Sequence, residues 1–106
     1  GCRIMPIRVS DPTGYCSFSA IASGLQFAAD NGARVANVSV AAYMSATVTT
    51  AVQYFRGRGG VVCMSAGNDG SATAASNNPN VLVVGATDSQ DMVCTWSVRG
   101  QEIDLV

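Results

Sequence analysis

The sequence predicts an α/β fold built on a mostly parallel sheet with flanking helices. Three observations point there. Segments of strand character and segments of helical spacing alternate along the chain. Residues 61–65 and 81–86 are apolar runs without polar alternation, the pattern of strands covered on both faces. Hydrophobic residues make up 48% and charged residues 12% of the 106, so the chain must bury its surface rather than stay unfolded.

The elements follow in order. Residues 3–9 (RIMPIRV) alternate branched and charged side chains and read as a strand, weakened by Pro6. Asp11-Pro12-Thr13-Gly14 is a turn. From residue 17 to 31, Ile21, Leu25 and Ala28 fall at helical spacing, with Ser17 as N-cap and Gly32 as the glycine after the C-cap. Residues 34–40 are a strand. A second helix over 46–56 carries the stripe Val48, Ala51, Val52 and Phe55, and Gly57, Gly59 and Gly60 end it. After the strand at 61–65, residues 67–80 are rich in Gly, Asn, Ser and Ala and read as a long loop. Residues 81–86 form a strand. The tail holds a short strand near 94–97, a turn at Gly100 and a last strand from Ile103.

Composition removes several function classes. The net charge is −1, with six arginines, no lysine and no histidine. Without a basic run, nucleic acid and anionic membrane surfaces are poor partners. Without histidine or lysine the chain lacks the commonest general base and metal ligand and any Schiff-base chemistry. Cys2, Cys16, Cys63 and Cys94 form no C-x-x-C pair, which argues against zinc and thiol–disulfide exchange. They read as buried thiols, which suits Cys63 inside its apolar run, with Cys16 in a loop the most exposed of the four and disulfides left open. No apolar run approaches the ~20 residues of a membrane-spanning helix. The chain starts at Gly1 and stops at Leu105-Val106 with no turn or cap, so the expectation is one partial domain over 1–106, truncated at both ends.

In open parallel sheets, ligands sit beyond the carboxyl ends of the strands. Two such ends are of interest: Ser39-Val40-Ala41-Ala42-Tyr43 and Ser65-Ala66-Gly67-Asn68-Asp69-Gly70. An asparagine just past a buried strand can aim its amide at a ligand oxygen. By spacing alone, Asn-Asp-Gly reads first as a turn.

An ordered set of motifs changes that weighting. Gly24-Leu25-Gln26-Phe27-Ala28, Val35-Ala36-Asn37-Val38-Ser39, Val62-Cys63-Met64-Ser65-Ala66-Gly67-Asn68-Asp69-Gly70 and Val81-Leu82-Val83-Val84-Gly85-Ala86-Thr87-Asp88-Ser89 follow one another. With Thr95-Trp96-Ser97 and Gly100-Gln101-Glu102-Ile103-Asp104, they resemble the middle of the subtilisin-like serine protease (subtilase) catalytic domain, from Arg3 to Val106. The resemblance implies a partial three-layer α/β/α subtilisin-like fold and a serine endopeptidase working by acyl transfer. It implies that Asn68 is the oxyanion-hole donor, that Ser65, Ala66 and Gly67 form one wall of a substrate pocket, and that Ser39, Val40, Ala41 and Ala42 form the other. Gly14, Tyr15, Cys16 and Phe18 then correspond to an edge strand pairing with extended peptide substrate. Glu102 and Asp104 match carboxylates that hold weakly bound calcium or sodium in some relatives, against the plainer reading of two solvated acids. No cofactor is required, the rest of the protease domain is a partner, and secretion is implied by the resemblance alone.

The departures matter as much. Ser39-Val40-Ala41-Ala42 stands where the family usually has Ser-Leu-Gly-Gly, adding two methyl groups to a substrate-facing strand. The loop at 67–80 is shorter than in many relatives, and Trp96 replaces a usual phenylalanine. The segment falls between the family's histidine and serine motifs, so the triad is missing and the isolated chain is expected to be inactive and prone to self-association. The alternatives are a catalytically dead peptide-binding module and, weakest, a nucleotide-binding domain, for which no glycine-rich loop follows a strand.

Overall fold

The computed structural model describes residues 1–73 and 77–106. Its elements are α1 (Phe18–Asp30), β1 (Val35–Val38), α2 (Ala46–Gly57), β2 (Val61–Ser65), β3 (Ala72–Thr73), β4 (Leu82–Val84) and β5 (Arg99–Gly100). β1, β2 and β4 form a parallel sheet in that order, with Val35 opposite Val61, Val38 opposite Met64 and Ser65 opposite Val84. β3 and β5 make a second, two-stranded parallel ribbon.

Both helices begin and end where local chemistry dictates. The Ser17 hydroxyl accepts from Ala20 N, and the Ser45 hydroxyl from Val48 N, each satisfying an orphan donor of the first turn. At the other end of α1, Gly32 (φ +81°) donates to the Ala29 carbonyl and Ala33 to that of Ala28, the paired bonds of a Schellman cap. α2 closes the same way through Gly59 and Gly60, and a methyl at Gly60 would strike the Phe55 ring. At their C-termini the helices are also tied together. Tyr54 Oη donates to Asp30 Oδ1 at 2.7 Å and Arg58 Nη2 reaches the same oxygen at 3.0 Å. That pair is half exposed and is worth at most about 1 kcal/mol.

The core explains a difference from the sequence reading. Ile21, Leu25, Val48, Val52 and Phe55 from the helices meet Val62, Met64 and Val83 from the sheet in one cluster. β2 therefore alternates: Val62 and Met64 are buried, while Val61 is exposed and Cys63 half-buried. Leu82 is likewise exposed beside buried Val83. The runs expected to be buried throughout are covered on one face by α1 and α2, and the other face presents Val35, Val61 and Leu82.

Four further segments differ. Residues 3–9 form no strand; Pro6 removes a donor, and Ile7 and Val9 instead pack onto Gly24 of α1. The predicted strand at 94–97 is a turn, in which Ser97 N donates to the Cys94 carbonyl. The predicted turn at Gly100 lies one residue later, because Arg99 and Gly100 pair with Ala72 and Thr73. The last segment contributes a single bridge, Leu105 to Val84. Part of the expected loop at 67–80, residues 74–76, lies outside the described residues.

Phe55 is fully buried beneath the glycine cap it helps to shape. Replacing it with alanine should cost about 3–5 kcal/mol, read as a lowered urea midpoint of unfolding, whereas Tyr54→Phe should change stability by no more than about 1 kcal/mol.

Candidate active site

The parallel register brings the two expected walls together. Because Val38 sits opposite Met64, the chain leaving β1 at Ser39 runs beside the chain leaving β2 at Ser65. Ala66 N donates to the Val84 carbonyl at 2.8 Å, and the Gly67 carbonyl accepts from Val98 N at 3.1 Å, so residues 65–67 are held from both sides. Gly67 lies at φ +116°, a conformation that disfavours any side chain, and a Cβ there would also crowd Val98 Cγ2 at 3.0 Å.

Asn68 follows immediately. It is exposed, and its side chain makes no hydrogen bond among the described residues. The turn reading accounts for its neighbour: Asp69 Oδ1 accepts from Ser71 N at 2.9 Å, and that bond together with the Ser71 side chain holds the Asp69 carboxyl below its usual range. Gly70 N donates to the Trp96 carbonyl at 2.8 Å, which pins the turn to the 95–98 segment. The Asn68 amide is left as a free donor on a braced backbone.

Of the second wall, Ser39 and Ala41 are exposed, Val40 is half-buried and Ala42 is buried. One residue further on, Tyr43 does what the sequence reading did not assign to it. Its ring is buried and its hydroxyl donates to the Ala66 carbonyl at 3.3 Å, joining the two walls. Asn78 Nδ2 donates to the Tyr43 carbonyl at 2.8 Å and to Thr49 Oγ1 at 3.1 Å. An aromatic placed directly after the wall was the only signal in the sequence, and it carries no information about its partner.

The third expected element is not a strand. Asp11 Oδ1 accepts from Thr13 N, Thr13 Oγ1 and Tyr15 N, while Asp11 N donates to the Tyr15 carbonyl. Gly14 lies in the resulting turn, Tyr15 has both backbone groups engaged, and Phe18 opens α1 as an exposed residue. Cys16 is half-buried, with its thiol 3.8 Å from the Gly14 carbonyl. An open cleft of about 650 Å³ runs between residues 8–11 and α1, lined by Arg8, Tyr15 and Phe27 among others. It includes neither wall nor Asn68.

The two acids part company. Glu102 is fully buried, with neither carboxyl oxygen hydrogen-bonded among the described residues, so it is not the solvated acid that the plainer reading expected. Asp104 is exposed and engaged, accepting from Asn77 Nδ2 at 3.2 Å and Val83 N at 2.8 Å. Among the described residues no three His, Cys, Asp or Glu side chains cluster as metal ligands, and no helix is long and apolar enough to cross a membrane. The four cysteines are free thiols, but none is fully buried as expected: Cys16, Cys63 and Cys94 are half-buried, and Cys2, in the irregular first segment, is the exposed one rather than Cys16.

The exposed Asn68 amide and the segments leaving β1 and β2 thus lie beyond the carboxyl ends of a parallel α/β sheet, where such folds hold their ligands. The chain matches the Subtilase family over residues 1–106, and it belongs to that family. It is 37% identical to the thermophilic serine proteinase of Bacillus sp. (strain AK1), over 98% of this chain and 27% of that protein. It is 34% identical to thermitase of Thermoactinomyces vulgaris, over 96% and 38% of the respective lengths. A solved structure of a cold-adapted subtilisin-like serine proteinase superposes with a TM-score of 0.76 at 29% identity, covering 92% of this chain and 38% of that one. The chain thus spans well under half the length of these relatives.

Burial, then the Glu102 and Asp69 carboxylates, push the Tyr43 phenol above its usual 10.0. The protonated phenol is the form the fold favours, so its contribution is full below pH 10 and is lost as pH rises through the raised value. Tyr43→Phe should therefore unfold less steeply with pH on the alkaline side of 10, while losing about 1 kcal/mol at neutral pH, measured by denaturant titration across that range.

Proposed function

We propose that this chain supplies the oxyanion donor and two walls of the substrate pocket to a subtilisin-like serine endopeptidase. The observation that carries the reading is Asn68: an exposed amide without a partner among the described residues, on a turn braced by Gly67, Gly70 and Val98, three residues beyond a parallel strand. In acyl transfer the scissile carbonyl oxygen gains negative charge as the nucleophile adds. A neutral amide N–H held at that point stabilises the charge without itself moving. Ser65–Gly67 and Ser39–Ala42 flank the side chain of the residue before the cleaved bond, and the substrate is an extended peptide.

The chain contains no histidine, so no serine in it has the base it would need. Ser39, Ser65 and Ser97 are therefore not nucleophiles in this reading. Ser97 is in any case buried, its hydroxyl accepting from Ala86 N. The triad comes from elsewhere in the protease, and the 106 residues by themselves do not cleave peptides. Their uncovered sheet face, with Val35, Val61 and Leu82, is a reason for the isolated chain to self-associate.

A hard cation, calcium or sodium, is the partner we assign to Glu102, because a buried carboxylate without donors is unfavourable until neutralised. Asp104 is not needed for this, since its oxygens already accept from Asn77 and Val83. No catalytic step runs through the cation.

In the full-length protease, Asn68→Ala should lower kcat by about 10²–10³, the loss known for the corresponding donor of subtilisin itself, with little change in KM. Unchanged kcat would remove the oxyanion assignment. Calcium or sodium should raise the melting temperature of the wild-type protein and leave that of Glu102→Gln unmoved; an equal shift in both would place the cation elsewhere.

A further inference from the structure

We propose that Ala41 closes the cleft between the two walls, so that the protease accepts only glycine or alanine immediately before the cleaved bond. This rests on the reading of residues 39–42 and 65–67 as pocket walls, and it names the substrate class of that pocket.

The geometry is specific to this chain. A Cβ built on Gly67 would lie 3.6 Å from Ala41 Cβ. Allowing for one carbon–carbon bond, Ala41 Cβ is no more than about 5 Å from Gly67 Cα. A methylene lying between two carbons needs about 3.5–4.0 Å on each side. No side-chain atom can therefore thread between Ala41 and Gly67. Of the two alanines in this wall only Ala41 is exposed, whereas Ala42 is turned into the core. Ala41 is thus the methyl that an incoming side chain meets.

Nor can the walls part easily. The Tyr43 hydroxyl is bonded to the Ala66 carbonyl, Asn78 holds the Tyr43 carbonyl, and the β1–β2 ladder runs up to the point where both walls begin. Widening the cleft for a leucine or phenylalanine means breaking the Tyr43–Ala66 bond and displacing the end of a strand. The far side offers no relief, because Val98 Cγ2 lies against Gly67.

The test uses the full-length gene product and internally quenched peptides that differ only in the residue before the bond: Gly, Ala, Leu or Phe. Wild-type kcat/KM should favour Ala over Phe by at least about 100-fold, the scale on which a pocket rejects excess bulk. Ala41→Gly should lower that ratio at least about tenfold, and Ala41→Val should extend the discrimination to Ala against Gly. Should Ala41→Gly fold poorly by circular dichroism, the Ala41→Val result decides. Efficient cleavage after Phe by the wild type, or a ratio indifferent to residue 41, overturns the proposal. If none of the peptides is cleaved, the protease reading fails, and fluorescence anisotropy with the same peptides settles this one separately. Tighter binding of the Ala peptide, erased in Ala41→Gly, upholds it; equal binding or none overturns it.

Discussion

The parallel pairing of β1, β2 and β4 is the constraint on which the rest depends. Parallel strands cannot be joined by tight turns and need longer crossovers; here α2 connects β1 to β2, and the segment that holds β3 connects β2 to β4. The same pairing points all three strands in one direction and gathers their carboxyl ends. Everything assigned to the site, from Ser39–Tyr43 to Ser65–Asn68, is chain leaving those ends. A slip of one residue between β1 and β2 would bury Val61 and Cys63 and expose Val62 and Met64. The hydrophobic core and the position of Asn68 are therefore set by one register.

What the sheet delivers, a second layer of hydrogen bonds holds. Val98 donates to the Gly67 carbonyl, the Trp96 carbonyl accepts from Gly70, and the β3–β5 ribbon continues the association. The tail of the chain thus acts as a brace on the turn that carries Asn68. The glycines at 67 and 70 are required by this arrangement. Gly67 has a positive φ and Val98 against it, while a Cβ on Gly70 would lie 2.8 Å from the Thr95 carbonyl. The exposed amide and the crowded backbone beneath it are two sides of the same construction: rigidity below leaves the donor free above.

Tyr43, Ala41 and Glu102 show what family membership alone does not specify. Membership of the subtilase family follows from the match over residues 1–106. The Ala41 methyl, however, faces Gly67 beyond the strand ends, and the Tyr43 phenol bonds across to the Ala66 carbonyl. Glu102 is a buried carboxyl group without a hydrogen-bond partner among the described residues.

The sequence by itself determined the α/β class, both helices with their glycine stops, the Ser17 N-cap of the first, and strands placed at 34–40 and 61–65. These follow from local properties: side-chain period, capping hydroxyls, and glycines at positive φ. It also placed Asn68 after a strand, and the ordered motifs singled that residue out from an ordinary Asn-Asp-Gly turn. Only the tertiary structure decided the rest. Residues 3–9 have strand composition, but a ladder needs a partner, and their apolar side chains were taken by α1 instead. Residues 61–65 look buried on both faces, yet both helices join a core on one face. Glu102 and Asp104, two residues apart, ended in opposite environments. In each case the deciding contact lies many residues away along the chain, and no local pattern encodes a neighbour that only folding brings near.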